Sequence, residues 1–134
     1  MNKLYRSVIA LLIGLSLAWY FFPWGVVYQG GSERSLTWLG TNAWLSDSSI
    51  VFISNVTTVL YLLSYLGLFF YQKWARSLLL FLAVVGGLAI PMYGLSVASG
   101  YESMLMYFIS VGDGFLLAMS YFSVVKDRFG GRQE

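Results

Sequence analysis

Four long apolar stretches separated by polar connections constrain this chain more than any other feature of its sequence. An α-helix needs roughly 20 mostly apolar residues to cross a bilayer, and each stretch reaches that length. We therefore predict an all-α integral membrane protein. Its membrane-spanning helices are expected at about 5–27, 49–71, 77–97 and 101–125, with an outer loop at 28–48.

Composition favours a membrane protein without a second domain. The chain is 58% hydrophobic and only 10% charged, whereas a soluble domain is about half apolar and about a quarter charged. So few charged side chains could not cover a globular surface, and most of the surface is expected to face lipid. The four spans use most of the 134 residues, which predicts a single membrane domain over 1–134.

The basic residues predict the orientation. In a four-span arrangement, Arg34 falls in the outer loop and the other basic residues fall on the opposite side of the membrane. Basic residues concentrate on the cytoplasmic side of membrane proteins. Both termini are therefore expected in the cytoplasm (N-in/C-in), with the chain in the cell inner, or plasma, membrane. The residues on that side are Lys3, Arg6, Lys73, Arg76, Lys126, Arg128 and Arg132.

Short connections predict the topology. Helices joined by short connections are antiparallel neighbours, which favours an antiparallel up-down bundle of four transmembrane helices. The second span is expected to begin at a cap formed by Asp47, Ser48 and Ser49, and a tight turn is expected at 72–76. The polar tail at 126–134 is expected to be frayed.

Small residues spaced four apart are expected to bring the helices together, because lipid provides no hydrophobic drive for helix association. We predict that such faces pack against other helices within the bundle. Three spans carry this spacing, at Gly14 and Ala18, at Ala83 and Gly87, and at Ser110, Gly114 and Ala118.

Asp113 places a carboxyl group near the middle of the fourth span, between two glycines. An acid at that depth costs at least a few kcal/mol unless it is paired, hydrated or neutral. The spans offer it no cationic partner at its own depth. Asp113 therefore marks a candidate functional intramembrane site.

Three environments are open to Asp113. A neutral carboxyl could join helices by bonding to the Thr58 hydroxyl or to the Gly87 carbonyl, which Pro91 leaves without its helical hydrogen bond. An ionised carboxylate could occupy a water-filled cavity as a proton or cation site. Alternatively, the acid could pair with a basic residue of another subunit.

Two further residues complete the candidate site. Asn55 lies on the same helical face as Thr58, Leu62 and Tyr65, and this face is predicted to point into the bundle. Ser110 lies close to the face of the fourth span that carries the acid.

The outer loop contains two tryptophans, Trp38 and Trp44, among polar residues. They fit an aromatic belt at the level of the lipid headgroups. They also fit a contact surface for an external partner, and both interpretations are open.

Several kinds of chemistry are excluded by residues that the sequence lacks. The chain has no cysteine and no histidine, which removes thiol catalysis, thiolate metal sites and the commonest general base. A single acid cannot form the paired carboxyl groups of an aspartic protease, and no glycine-rich phosphate loop is present. We therefore predict no enzyme activity, catalytic residue, metal site or cofactor, and no nucleic-acid partner.

Two main functions fit the remaining features, and a third option is a membrane-embedded sensor acting through the loop that contains Trp38 and Trp44. The first is a small polytopic membrane protein acting by intramembrane helix–helix contacts, as an accessory or assembly subunit or as an immunity-type protein that blocks a membrane toxin. Its partners would be the lipid bilayer and another membrane protein or a second copy of itself. The second is a small oligomeric transporter or channel for protons or cations using Asp113, since a glycine- and proline-interrupted helix opposite an acid resembles the broken-helix sites of transporters.

Overall fold

The computed structural model describes residues 2–21, 44–93 and 100–130, which are almost entirely helical and contain no β-strand. Four helical segments are long and apolar enough to cross a membrane, the third only together with the 3₁₀ turn that follows it: Lys3–Phe21, Ser48–Phe69, Lys73–Met92 and Gly100–Phe122. Short 3₁₀ segments follow the third helix at Ile90–Tyr93 and the fourth at Val124–Gly130. The long helices are α1 at Asn2–Phe21, α2 at Asp47–Phe69, α3 at Lys73–Ala89 and α4 at Gly100–Phe122.

The helices form a bundle in which each packs against two neighbours. Helices α1 and α3 each contact both α2 and α4, so α2 and α4 face each other across the diagonal. The first turns of α1 and α3 lie beside the last turns of α2 and α4, which makes neighbouring helices antiparallel. The predicted all-helical bundle is thus confirmed. All described lysines and arginines lie at one end, here named the basic end: Lys3, Arg6, Lys73, Arg76, Lys126 and Arg128.

Among the residues that the structure describes, the buried core lies in the half of the bundle nearest the basic end. Within the described residues, no side chain of 13–21, 48–63, 83–92 or 100–112 is buried. Burial therefore stops at the level of Leu12 on α1, Ser64 on α2, Leu82 on α3 and Asp113 on α4. The buried hydrophobic side chains are Tyr5, Ile9, Leu12, Tyr65, Leu68, Ala75, Leu79, Leu82, Leu116, Met119, Val125 and Phe129.

Helix α2 ends in a Schellman turn that starts α3 almost at once. The Gln72 N–H donates to the Gly67 carbonyl (2.9 Å) and the Tyr71 N–H to the Leu68 carbonyl (3.0 Å). Tyr71 takes the left-handed position of this turn, with φ of 56°, where glycine is the usual residue. Because this one residue reverses the chain, α3 begins at Lys73, and the turn predicted at 72–76 is wrong.

The ring of Tyr71 explains why a side chain is tolerated in that conformation. A left-handed residue other than glycine costs roughly 1–2 kcal/mol. The Tyr71 ring stacks on the Tyr5 ring at 5.9 Å and meets the Phe129 ring edge-on at 5.6 Å. Glycine would remove the backbone cost together with both ring contacts.

The start of α2 differs slightly from the sequence prediction. Its cap is Ser46, whose hydroxyl accepts from the Ser49 N–H at 3.4 Å. The cap therefore lies one residue before the predicted position.

The tail after α4 also differs from the prediction. It is ordered as the 3₁₀ segment to Gly130 because Val125 and Phe129 are buried, so the frayed tail is wrong over 126–130. The predicted helix ends at 27 and 97 fall outside the described residues.

The glycines predicted to bring the helices together do not do so within the bundle. A Cβ atom built on Gly14, Gly87 or Gly114 would meet nothing within 4 Å. The prediction that these glycines pack inside the bundle is therefore wrong.

Close helix approach occurs at two other glycines. A Cβ on Gly67 would lie 2.6 Å from Ala75 Cβ, and one on Gly112 would lie 2.5 Å from Leu12 Cδ2. Gly67 thus lets α2 approach α3, and Gly112 lets α4 approach α1.

We expect Gly67→Ala to lower the free energy of unfolding by about 1–3 kcal/mol, because the short side chain of Ala75 cannot move aside for the added methyl group. Gly14→Ala is the matched control and should leave stability unchanged or raise it by up to about 1 kcal/mol, through the better helix propensity of alanine. Thermal unfolding in mild detergent, followed by tryptophan fluorescence, measures both. Equal effects of the two substitutions would contradict this account of the α2–α3 contact.

Candidate functional site

Asp113 lies inside the bundle at the limit of the core farthest from the basic end, with only 7% of its surface exposed. The Tyr65 phenol donates a hydrogen bond of 2.7 Å to Asp113 Oδ1. Tyr65 itself is fully buried. Because Tyr65 is on α2 and Asp113 on α4, this bond crosses the diagonal of the bundle and joins two helices that are not packing neighbours.

The two glycines beside the acid have different roles. Gly112 faces α1, where Leu12 occupies the space that a side chain would need. Gly114 faces away from the bundle and is exposed. Successive residues on a helix are about 100° apart, so this rotation of α4 places the intervening Asp113 toward the interior and toward Tyr65.

Side chains of α1 and α2 add hydroxyl groups around this bond. The Ser16 hydroxyl of α1 lies beside the Tyr65 phenol. The Tyr61 ring, one turn before Tyr65 on α2, is 6.1 Å from the Tyr65 ring, and its hydroxyl points toward α3, 3.9 Å from where a Gly86 Cβ would be. Tyr61 is half-buried and lies one turn farther from the basic end than Tyr65.

The structure places two other candidate hydroxyls away from the acid. The Thr58 hydroxyl donates to the Ser54 carbonyl of its own helix at 2.9 Å, about 10 Å along α2 from Tyr65 at 1.5 Å per residue. The Ser110 hydroxyl likewise donates to the Met106 carbonyl at 2.8 Å. Such back-bonding to the preceding turn is common for serine and threonine in helices.

Asn55 and Gly87 do not join the site either. Both are exposed at the surface of the bundle. The expected contact of Asp113 with the Gly87 carbonyl or with Thr58 is therefore replaced by the contact with Tyr65.

The tryptophans of the predicted outer loop are described only in part. Trp44 is 83% exposed, and its backbone N–H donates to the Met92 carbonyl at 3.1 Å. This bond ties the start of α2 to the 3₁₀ segment after α3. Trp38 lies outside the described residues.

Tyr65 is the site residue that the sequence analysis did not single out. The sequence already places Tyr65 on the predicted inward face of α2, together with Thr58. The length of the side chain decides which residue can bond to the acid. A phenol extends far enough to cross the interior, whereas a threonine hydroxyl stays close enough to its own backbone to be satisfied there.

The site can hold a proton but has few further chemical options. A carboxyl and a phenol at 2.7 Å form a strong hydrogen bond and can exchange a proton. Over the described part of the chain, no group of three or more His, Cys, Asp or Glu is placed to hold a metal ion. The arrangement fits either a structural cross-link between α2 and α4 or one step of a proton path.

Comparison of the chain with models of known protein families, with curated proteins and with solved structures found no match. Function is therefore inferred from the residues of this chain.

Tyr65→Phe is expected to lower the free energy of unfolding by about 1–3 kcal/mol, because it leaves the buried Asp113 carboxyl without this donor. Asp113→Asn should cost less, since the amide oxygen can still accept from the phenol. A double-mutant cycle in detergent would measure the coupling between the two positions. Tyr107→Phe, at an exposed phenol on α4, is the control and should change stability by less than about 0.5 kcal/mol. In a cycle that pairs Tyr65→Phe with Asp113→Ala, which removes the acceptor, additive effects would show that the bond does not join the helices.

Proposed function

We propose that this is a multi-pass protein of the cell inner membrane that acts through contacts between its outer helix faces and other membrane helices. In this proposal both termini are cytoplasmic. The protein serves as an accessory or assembly subunit of a membrane complex, or as an immunity-type protein that blocks a membrane toxin. Four apolar helices with many exposed large hydrophobic side chains support the membrane location, and the collection of lysines and arginines at one end supports the orientation.

The observation that carries the proposal is the free small-residue face of α4. Ser110, Gly114 and Ala118 lie four residues apart and are all exposed. A Cβ on Gly114 would meet nothing within 4 Å, so a second backbone could approach closely there. Small residues at this spacing are typical of helix–helix interfaces in membranes.

The enclosed acid supports the same proposal. Asp113 is directed into the bundle and bonded to Tyr65, so it is not presented on the outer surface to a basic residue of a partner. Recognition would therefore depend on shape and packing along the small-residue face. Pairing of Asp113 with another subunit is the less favoured form of this function.

A photo-crosslinking residue at Val111 tests the proposal, because Val111 is 54% exposed and lies beside this face. In membranes of its own cells, the full-length protein should give a discrete adduct with another membrane protein or with a second copy of the chain. Adding Gly114→Leu should reduce the adduct about tenfold, because losing close packing costs about 1–2 kcal/mol. Val59→Phe enlarges an exposed side chain on α2 and should leave the adduct unchanged. Adducts with lipid alone would refute the proposal.

A second candidate function is proton or cation transport by an oligomer. The observation that favours it is the row of Asp113, Tyr65 and Tyr61, in which Asp113 and Tyr65 are hydrogen-bonded and the half-buried Tyr61 lies one turn farther along α2. A proton can exchange between a hydrogen-bonded phenol and carboxyl group such as Tyr65 and Asp113.

Flux measurements in proteoliposomes separate the two functions. If the row conducts, Asp113→Asn should abolish a proton or cation flux while keeping the fold, because the amide preserves the hydrogen bond but has no acidic proton. Tyr65→Phe should reduce the flux, and Thr58→Val should not, since the Thr58 hydroxyl is bonded within its own helix. Absence of flux in the wild-type protein under a pH or cation gradient would exclude this function.

A further inference from the structure

Two arginines at the basic end lie over aromatic rings. The Arg6 guanidinium of α1 is 5.1 Å from the centre of the Phe69 ring and 5.4 Å from that of Tyr71. The Arg76 guanidinium of α3 is 5.0 Å from the Tyr121 ring and 5.5 Å from the Phe129 ring. The Tyr71 and Phe129 rings touch at 5.6 Å and join the two halves. These six residues are named the arginine platform.

The platform holds its guanidinium groups in place without neutralising them. A ring contact restrains the flat face of a guanidinium but leaves the N–H groups on its edge available as donors. In the described part of the chain, Asp127 is the carboxylate at this end, and no ion pair joins it to Arg6 or Arg76. The site is therefore positively charged and rich in donors.

Exposed apolar side chains border the platform. Phe70 is 67% exposed and Phe122 is 90% exposed, and each directly follows a platform residue in the chain, Phe69 and Tyr121 respectively. A site with cationic donors beside exposed apolar rings matches a ligand that has an anionic head and apolar chains.

We propose that the arginine platform binds the phosphate headgroup of an anionic phospholipid of the inner leaflet. Each of the two guanidinium groups can donate to phosphate oxygens, and the exposed Phe70 and Phe122 rings contact the glycerol and the first part of the acyl chains. Arginine forms paired hydrogen bonds with phosphate that lysine cannot match. Basic pockets between helix ends on the cytoplasmic side are known places for such headgroups.

This inference rests on the membrane location in the proposed function, but not on a protein partner. Lipid binding is a property of the chain alone, so it can be measured on the purified protein without a second protein. The small-residue face of α4 is a separate surface. Failure of crosslinking at Val111 would therefore leave the lipid site standing, and loss of lipid binding would leave the partner contact standing.

Titration of the purified full-length protein in mild detergent with short-chain phosphatidylglycerol, followed by native mass spectrometry, tests the site. We expect the double variant Arg6→Gln with Arg76→Gln to bind at least about tenfold more weakly, from loss of charge-assisted hydrogen bonds. The double variant Arg6→Lys with Arg76→Lys keeps the charge but not the paired geometry, and should bind severalfold more weakly. This second variant also keeps the test decisive if the first does not fold.

The matched control removes the same charge from the same two helices. Lys3 and Lys73 each lie three residues before a platform arginine, and Lys3→Gln with Lys73→Gln should change the affinity less than about twofold, in line with the small effect of exposed charges. An equal loss in this control would overturn the proposal, because binding would then reflect diffuse charge. Equal binding of phosphatidylcholine, or full displacement by equimolar inorganic phosphate, would also overturn it, the latter by identifying free phosphate as the ligand.

Discussion

A carboxyl group inside an apolar bundle is stable only if a hydrogen-bond donor meets it, and the fold of this chain depends on how that need is met. The donor is the Tyr65 phenol, and it reaches Asp113 across the diagonal from α2 to α4. Such a bond requires α1 and α3 to lie close on either side. Gly112 and Gly67 permit this close packing because neither has a side chain. Leu12 takes up the space beside Gly112, and Ala75 takes up the space beside Gly67.

Much of the architecture could be predicted from the sequence, because the apolar stretches fix the helices and the short connections fix their order. The predictions that were wrong depend on how each helix is rotated about its axis and on which side chains meet in the fold. Gly112 and Gly114 lie about 200° apart around α4, so spacing alone cannot tell which one packs inside the bundle. Tyr71 ends α2 without a glycine. Phe129 lies in a polar tail, and it is buried because the rings of Tyr5 and Tyr71 and the Arg76 guanidinium pack against it.

The position of the acid within its helix could be predicted from the sequence, but the side chain that bonds to it could not. A charged residue in a long apolar stretch identifies Asp113 from sequence alone. Its partner could not be identified in the same way, because short hydroxyl side chains such as Thr58 and Ser110 are satisfied by their own helices. The platform arginines show the same limit: their charge predicts an orientation, whereas the rings they contact come from separate helix ends and are known only from the fold.

Confinement of the core to one half of the bundle has a consequence for how the chain opens. Each helix has a buried leucine in that half, at Leu12, Leu68, Leu79 and Leu116, and we expect the backbone amides beside these side chains to exchange with solvent mainly through unfolding of the whole bundle. Amides farther along the same helices can exchange through local fraying. Among the described residues, the helices are therefore held together by a buried core at one end, and lipid or protein that contacts the other halves would make their unfolding more cooperative.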